Sequence, residues 1–293
     1  MKTQFTVLFV LALSVSAFAN TPQQLEEFNK QADSYIQLEN YEAAIDIYNR
    51  ALAQFPDKAE LYNALGFALN QLHSFEEAIA NFDRALELRP GFSEALNNRA
   101  NALLWTGDHL TAIKNYTDAI RGDRKNANAY IWRANARFYE KDFRNAILDL
   151  NTAIEIAPEK SEAWEFRGFA KAQLGQYEEA IEDYNRAIAL QPMEQVRFAY
   201  EKAYINRGNA KRMMGDYDGA IEDYSTALQM APDYFEAYNN RAIAKAYSGD
   251  VTGAIFDLYN ALDLYPEYRK AALNLVIVNR YQSGQMNDLA ALR

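Results

Sequence analysis

Few side chains in this 293-residue sequence could do chemistry on a substrate. There is no Cys, and the two histidines, His73 and His109, have no second ligand type at a spacing that a metal would need. There is no nucleophile elbow, phosphate-binding loop or dinucleotide fingerprint, so no enzyme activity, cofactor or metal is expected. Two other patterns recur. Arg99, Arg133, Arg167, Arg207 and Arg241 are each followed sixteen residues later by Asn115, Asp149, Asp183, Asp223 and Asp257. That spacing suits either an ion pair that sets helix register or a row of anion-binding cations, and the ion pair is the plainer reading. If exposed, it contributes about 0–1 kcal/mol. The second pattern is rich in amides. The stretch EALNNRANALLW (Glu94 to Trp105) holds Asn97, Asn98 and Asn101, and EAYNNRAIAKAY (Glu236 to Tyr247) holds Asn239 and Asn240. Asn is worth roughly 0.6 kcal/mol less than Ala in a helix. Its amide, with one acceptor and two donors, can satisfy both groups of a bound peptide unit.

The elements that carry these residues follow from a repeat. Pro56, Pro90, Pro158, Pro192, Pro232 and Pro266 close similar segments at gaps of 34, 68, 34, 40 and 34 residues, with Arg124 where one Pro is missing. A 34-residue period made of two helices marks a solenoid. The frame gives seven repeats within residues 20–268, namely 25–58, 59–92, 93–126, 127–160, 161–194, 201–234 and 235–268, and leaves 269–293 as a degenerate repeat with a capping helix. Small residues stand at the eighth, twentieth and twenty-seventh places of every repeat, as in Gly208, Ala220 and Ala227. Large ones recur at the fourth and twenty-fourth, as in Tyr204 and Tyr224, which predicts alternate large and small packing. Gly-Asp turns such as Gly215-Asp216 supply a left-handed residue and the next N-cap. Residues 193–200 break the period and are read as a longer first helix for the sixth repeat. The final QMNDLAALR is read as a further short helix.

The segment AYINRGNAKRMMGDYDGAIEDYSTALQMAPD (Ala203 to Asp233) resembles a tetratricopeptide repeat, with Tyr204, Gly208, Tyr217, Ala220, Tyr224, Ala227 and Pro232 on the family's pattern. The resemblance covers 25–268 and implies an all-α fold, a right-handed α-solenoid of helix-turn-helix repeats. It also implies a concave groove lined by the first helix of each repeat. The places that face such a groove hold Asn63, Asn97, Asn98, Asn101, Asn135, Asn206, Asn209, Asn239 and Asn240, with Phe67, Trp105, Trp132, Phe138, Tyr139, Phe166, Phe169 and Tyr247 beside them. The resemblance therefore implies a peptide-binding groove, an amide ladder gripping an extended backbone with aromatic pockets for side chains. The plainer alternative is Asn on a solvated helix face. The carboxylate clamp of chaperone-binding relatives is not matched: the corresponding places offer Asn29 and Asp33, then Ala64, then Glu94 with Asn98.

The first twenty residues differ in kind. Lys2, an apolar run from Phe5 to Val15 and the small-x-small triplet Ala17-Phe18-Ala19 read as a secretory signal peptide over 1–19, cut after Ala19. An uncleaved anchor is the alternative, because residues 3–25 carry no charge. Loss of 1–19 removes one Lys and takes the net charge from −10 to −11. Such a surface repels phosphate backbones, so no nucleic-acid partner is expected. Acids at the groove edge (Glu26, Glu60, Glu94, Glu162 and Glu236) favour a neutral or basic protein partner. The expectation is an exported, periplasmic or secreted scaffold that binds an extended peptide or protein segment. The alternative is a structural spacer or self-assembling element of an envelope complex that uses its convex face, its capping helix or residues 193–200.

Overall fold

The computed structural model describes residues 21–190 and 201–292. The expected leader and the 193–200 insertion lie outside the described residues. Among those described there are fifteen α-helices and no strand. They form two compact units, one ending at Thr106 and the other beginning at Gly107. The first holds α1 (Pro22–Gln37), α2 (Tyr41–Gln54), α3 (Ala59–Gln71), α4 (Phe75–Leu88) and α5 (Ser93–Thr106). The second holds α6 (His109–Gly122), α7 (Ala127–Tyr139), α8 (Phe143–Ile156), α9 (Ser161–Gln173), α10 (Tyr177–Ala189), α11 (Glu201–Met213), α12 (Tyr217–Met230), α13 (Phe235–Ser248), α14 (Val251–Leu264) and α15 (Arg269–Gln282). Within each unit every helix packs on its neighbours in sequence; α3 also packs on α5, and from α7 to α15 each odd-numbered helix packs on the next, so the odd helices make one layer and the even helices the other.

The turns follow the expected chemistry in the third, fifth, sixth and seventh repeats and depart from it in the first, second and fourth. Gly107, Gly175, Gly215 and Gly249 have φ between 78° and 95°, the left-handed region that glycine enters without strain. At the equivalent place stand Glu39, His73 and Lys141, with φ of 55° to 60°. His73 therefore closes a helix. The next residue caps the following helix where it can: Asp216 Oδ1 accepts from Gly219 N at 3.0 Å, and Asp250 Oδ1 from Gly253 N at 2.8 Å.

Packing matches the small-and-large pattern. All seven alanines at the twentieth place are fully buried. The eighth place is matched to the twenty-fourth sixteen residues on. A Cβ on Gly66 would lie 2.7 Å from the Phe82 ring, and one on Gly208 2.9 Å from the Tyr224 ring. Where the twenty-fourth place is Leu150 or Leu258, the eighth is Ala134 or Ala242, and all four are fully buried. Two repeats depart from this matching: the first has Ala32 and Tyr48, both in the same core, and the third has Ala100 and Tyr116 at these two places.

The Arg–Asp pairs differ from the exposed pairs expected. Asp149, Asp183, Asp223 and Asp257 are all buried, Asp257 completely. Arg241 Nε and Nη2 donate to the two carboxylate oxygens of Asp257 at 2.8 and 2.7 Å. Its Nη1 reaches back to the preceding repeat and donates to Ser225 Oγ at 3.0 Å. The same reach takes Arg133 to Thr117, Arg167 to Asn151 and Arg207 to Asn185. A second cation at the eleventh place, which the sequence pattern did not bring out, completes each knot: Arg137 on Asp149, Lys171 on Asp183, Lys211 on Asp223 and Lys245 on Asp257. In the first unit Arg99 pairs with Asp83 of the preceding repeat at 2.7 Å.

The C-terminal segment is corrected in one respect. α15 covers α13 and α14 as a cap should. After it, residues 283–292 form turns and irregular chain in place of the expected short helix. They are held by buried Leu289, whose carbonyl accepts from Tyr247 Oη at 2.9 Å.

Two stability changes follow. Asp257→Ala leaves Arg241 and Lys245 facing a buried void, and should lower unfolding free energy by about 3–5 kcal/mol in denaturant titration, with exposed Asp233→Ala as a near-neutral control. Gly208→Ala should lower it by about 1–3 kcal/mol through overpacking. Adding Tyr224→Leu should recover part of that loss in a double-mutant cycle, because Ala with Leu is the combination used at 134/150 and 242/258.

Candidate functional site

The amides do not all face outward. Asn63 and Asn239 are buried, so the expectation that they line an open groove is corrected. Asn63 Nδ2 donates to Glu94 at 2.9 Å, and Asn63 Oδ1 accepts from Asn98 Nδ2 at 3.1 Å. Asn239 Oδ1 accepts from buried Asn274 Nδ2 at 2.9 Å, while Asn239 Nδ2 donates to Asn240 at 3.3 Å. Asn240 Nδ2 in turn donates to Asn209 Oδ1 at 3.2 Å, the same atom that accepts from Tyr224 Oη at 2.7 Å. The physical reason is close packing of successive odd helices. Asn63 and Asn239 at the fifth place meet the following repeat, and Asn98 and Asn240 at the sixth meet the preceding one, and a buried amide must find partners there. Much of the Asn pattern is thus a ladder between repeats.

Several aromatics play a similar part. Trp105, 69% exposed, stacks on Phe75 with centroids 6.2 Å apart. Tyr139 stacks on His109 at 4.2 Å, and Tyr247 on Tyr217 at 5.2 Å. In each case the thirteenth place of one repeat lies against the first residue of the preceding even helix. Phe67, Asn97 and Asn101 are half-buried on α3 and α5 of the first unit.

The second unit contains a place where the ladder stops. At the register positions where Asn240 and Asn209 pair, the fifth repeat has Phe166 and Phe169. Phe166 stands where a donor to Asn135 would be, and Phe169 where an acceptor for Asn206 would be. Among the described residues neither Asn135 nor Asn206 has a hydrogen-bond partner. A cleft of about 370 Å³ opens there, lined by Asn135, Phe138 and Tyr139 of α7, Phe143 of α8, Glu165, Phe166 and Phe169 of α9, and Asn206 of α11. Its rings are locked edge to face, Phe138 against Phe169 at 5.1 Å and against Phe166 at 5.8 Å, with Trp132 on the far side of Phe166 at 6.4 Å. A second hollow of about 330 Å³ shares Phe169 and Asn206 and runs on past Tyr177 and Asn209 to Met213. The structure therefore brings together Asn135, Tyr139, Phe166, Phe169 and Asn206, with Asn209 in the adjoining hollow.

Two lining residues, Phe143 and Glu165, were not among the sequence candidates. Glu165 occupies the fifth place, which is buried at Asn63, Ile131, Ile205 and Asn239. Burial pushes its carboxyl up to about 7, helped by Glu162 and Glu201 and opposed by Lys202. The signal was in the sequence as a carboxylate at a place otherwise held by Asn or Ile. Burial also raises the Tyr184 hydroxyl, with the Glu165 charge adding to it. The site can therefore offer aromatic walls, two unengaged amides and one partly desolvated carboxyl.

Sequence models described as tetratricopeptide repeat match residues 29–91, 68–129, 127–160, 161–193 and 201–234. No curated protein matches the chain. Among solved structures, the chain is similar to one in the APC/C hetero-tetramer Cut9–Hcn1, at 20% identity and a TM-score of 0.70, over 84% of this chain and 48% of that one. It thus spans about half of that protein's length. It is also similar to PilF of Pseudomonas aeruginosa, at 18% identity and TM-score 0.62 over 78% and 97% of the two chains. A tetratricopeptide repeat protein from Parabacteroides merdae matches at 18% identity and TM-score 0.63, over 87% and 99%. At these identities the likeness is one of fold. The repeated matches along the sequence and the helix hairpins they fall on show that this chain belongs to the tetratricopeptide repeat family.

Proposed function

We propose that the protein is an exported, non-catalytic scaffold that holds an extended peptide or protein segment against the odd-helix face of its second unit. The observation that carries this is the cleft at the break in the amide ladder, where five preformed aromatic rings stand beside the unengaged amides of Asn135 and Asn206. Rigid rings and a few convergent polar groups are what a side-chain pocket needs, and free amides supply donors and acceptors to a bound backbone. The adjoining hollow extends the surface to the length of a few extended residues. Export rests on the leader-like composition of residues 1–19.

A second reading has its own observation. A solenoid cap normally turns a polar face outward, yet α15 exposes Leu273 at 61% and Val276 at 49%. Its neighbour α14 exposes Phe256 at 63% and Tyr259 at 53%. On this reading the capping end stacks on another molecule and the protein is a self-assembling element.

Panning a phage-displayed library of random dodecapeptides against the purified protein should select peptides that bind in the micromolar range. Phe169→Ala should weaken them about tenfold or more, while exposed Leu148→Ala on α8 leaves them unchanged. Selected peptides indifferent to Phe169 would overturn the groove reading. For the second reading, light scattering at tens of micromolar should find the wild type larger than a monomer and Leu273→Glu monomeric; a monomeric wild type sinks it.

A further inference from the structure

The fifth repeat departs from its siblings at three groove places at once. Glu165 stands at the fifth place, where the other six repeats have Asn or Ile, and Phe166 and Phe169 stand at the sixth and ninth, where the following repeat has the amides Asn206 and Asn209. Each change alone would be a defect: a carboxylate put where four other repeats are buried, at Asn63, Ile131, Ile205 and Asn239, and two amides left without their ladder partners. Together they make a pocket with apolar walls and one acid in its lining. Phe138, Phe143, Phe166 and Phe169 form the walls, with Glu165 among them. Among the described residues the Glu165 carboxyl has no hydrogen-bond partner. Glu162 of α9 and Glu201 of α11, among the described residues, add negative charge around it, against the cation Lys202 of α11. Its other titratable neighbours among the described residues are two tyrosines, Tyr184 of α10, whose hydroxyl feels the Glu165 charge, and Tyr139 of α7 in the cleft lining. Among the described residues these groups sum to two negative charges when Glu165 is ionised, in a partly desolvated site.

We infer that this cleft is a subsite for one basic side chain, Lys or Arg, of the bound segment. The methylene stem lies between the phenylalanine rings, and the cationic head meets the Glu165 carboxylate and donates to the flanking Asn135 and Asn206 amide oxygens as further partners. The inference rests on the groove reading and deepens it. Its physics is the completion of a half-built ion pair. The carboxylate that burial disfavours regains its counter-charge when the cation enters, and the ring faces add cation–π attraction. The pH dependence has a definite sign. The free carboxyl, pushed up to about 7, is neutral at lower pH and charged above it. The ligand's Lys stays protonated throughout, at roughly pKa 10.4. Below about pH 7 binding must expel a proton, so affinity rises between pH 5.5 and 8 and then levels off.

The test uses one synthetic dodecapeptide of the sequence selected by panning at pH 8, labelled with fluorescein, and a twin with norleucine in place of its conserved basic residue. Fluorescence anisotropy against the full protein should show the basic peptide about tenfold tighter at pH 8 and less than about threefold tighter at pH 5.5. Glu165→Gln, checked for folding by circular dichroism, should remove both the preference and the pH dependence. Equal binding of the twin peptides at pH 8, selection with no enrichment of a basic residue, or a preference that survives Glu165→Gln would each overturn the subsite. If the peptides still depend on Phe169, the groove reading stands without it. If they do not, or if no peptide is selected, both fall.

Discussion

The buried Arg–Asp–cation knot is the interaction on which the rest of the structure depends. Each repeat of the second unit from the fourth to the seventh places a carboxylate where water hardly reaches, with Asp257 fully enclosed. A lone buried carboxylate is costly, and it becomes tolerable only when its lone pairs are filled and its charge is matched. The guanidinium at the seventh place supplies two parallel hydrogen bonds, and the cation at the eleventh a third. The remaining guanidinium nitrogen bonds a hydroxyl or amide of the preceding repeat. One side chain thereby fixes the register of its own hairpin and of the hairpin before it. In a stack whose stability is a sum of repeats and nearest-neighbour interfaces, such a contact serves both terms.

The candidate site is a local departure from that regularity. The amide ladder, from Asn274 to Asn239 and from Asn240 to Asn209, ties neighbouring odd helices and keeps their polar groups satisfied. At the fifth repeat Phe166 and Phe169 cannot continue it, and a cleft opens between helices still held in register by the knots below. The rings pack edge to face in place of the missing hydrogen bonds, which keeps the opening rigid. The scaffold's order is what allows one repeat to carry a carboxyl at a place that four others bury as Asn or Ile.

Much of the molecule was legible in the sequence, and the limits are instructive. The small places read correctly because sterics at a helix crossing leave no choice: Ala220 and its equivalents have no room to be anything larger. The Arg–Asp spacing was visible, yet its burial and its second cation were not, because exposure depends on how tightly the next repeat closes over it. The Asn residues were read as a binding face, although Asn63 and Asn239 turn into the interface with the next repeat. Polar residues on a helix announce only that they need partners, and a groove, a ligand or the next helix can each provide them.

The sequence by itself determined the repeat, its helix hairpins, the turn chemistry of Gly215-Asp216 and its kin, and the alternation of large and small side chains. These are local or strictly periodic, so covalent spacing and sterics decide them. Only the tertiary structure decided which amides are ladder rungs and which are free, that the Arg–Asp pairs are buried knots spanning two repeats, and that Glu165 lies in an aromatic cleft with its carboxyl held near neutrality. Those properties depend on distances between residues twelve to thirty-five positions apart, and on what water is excluded when the hairpins close against one another.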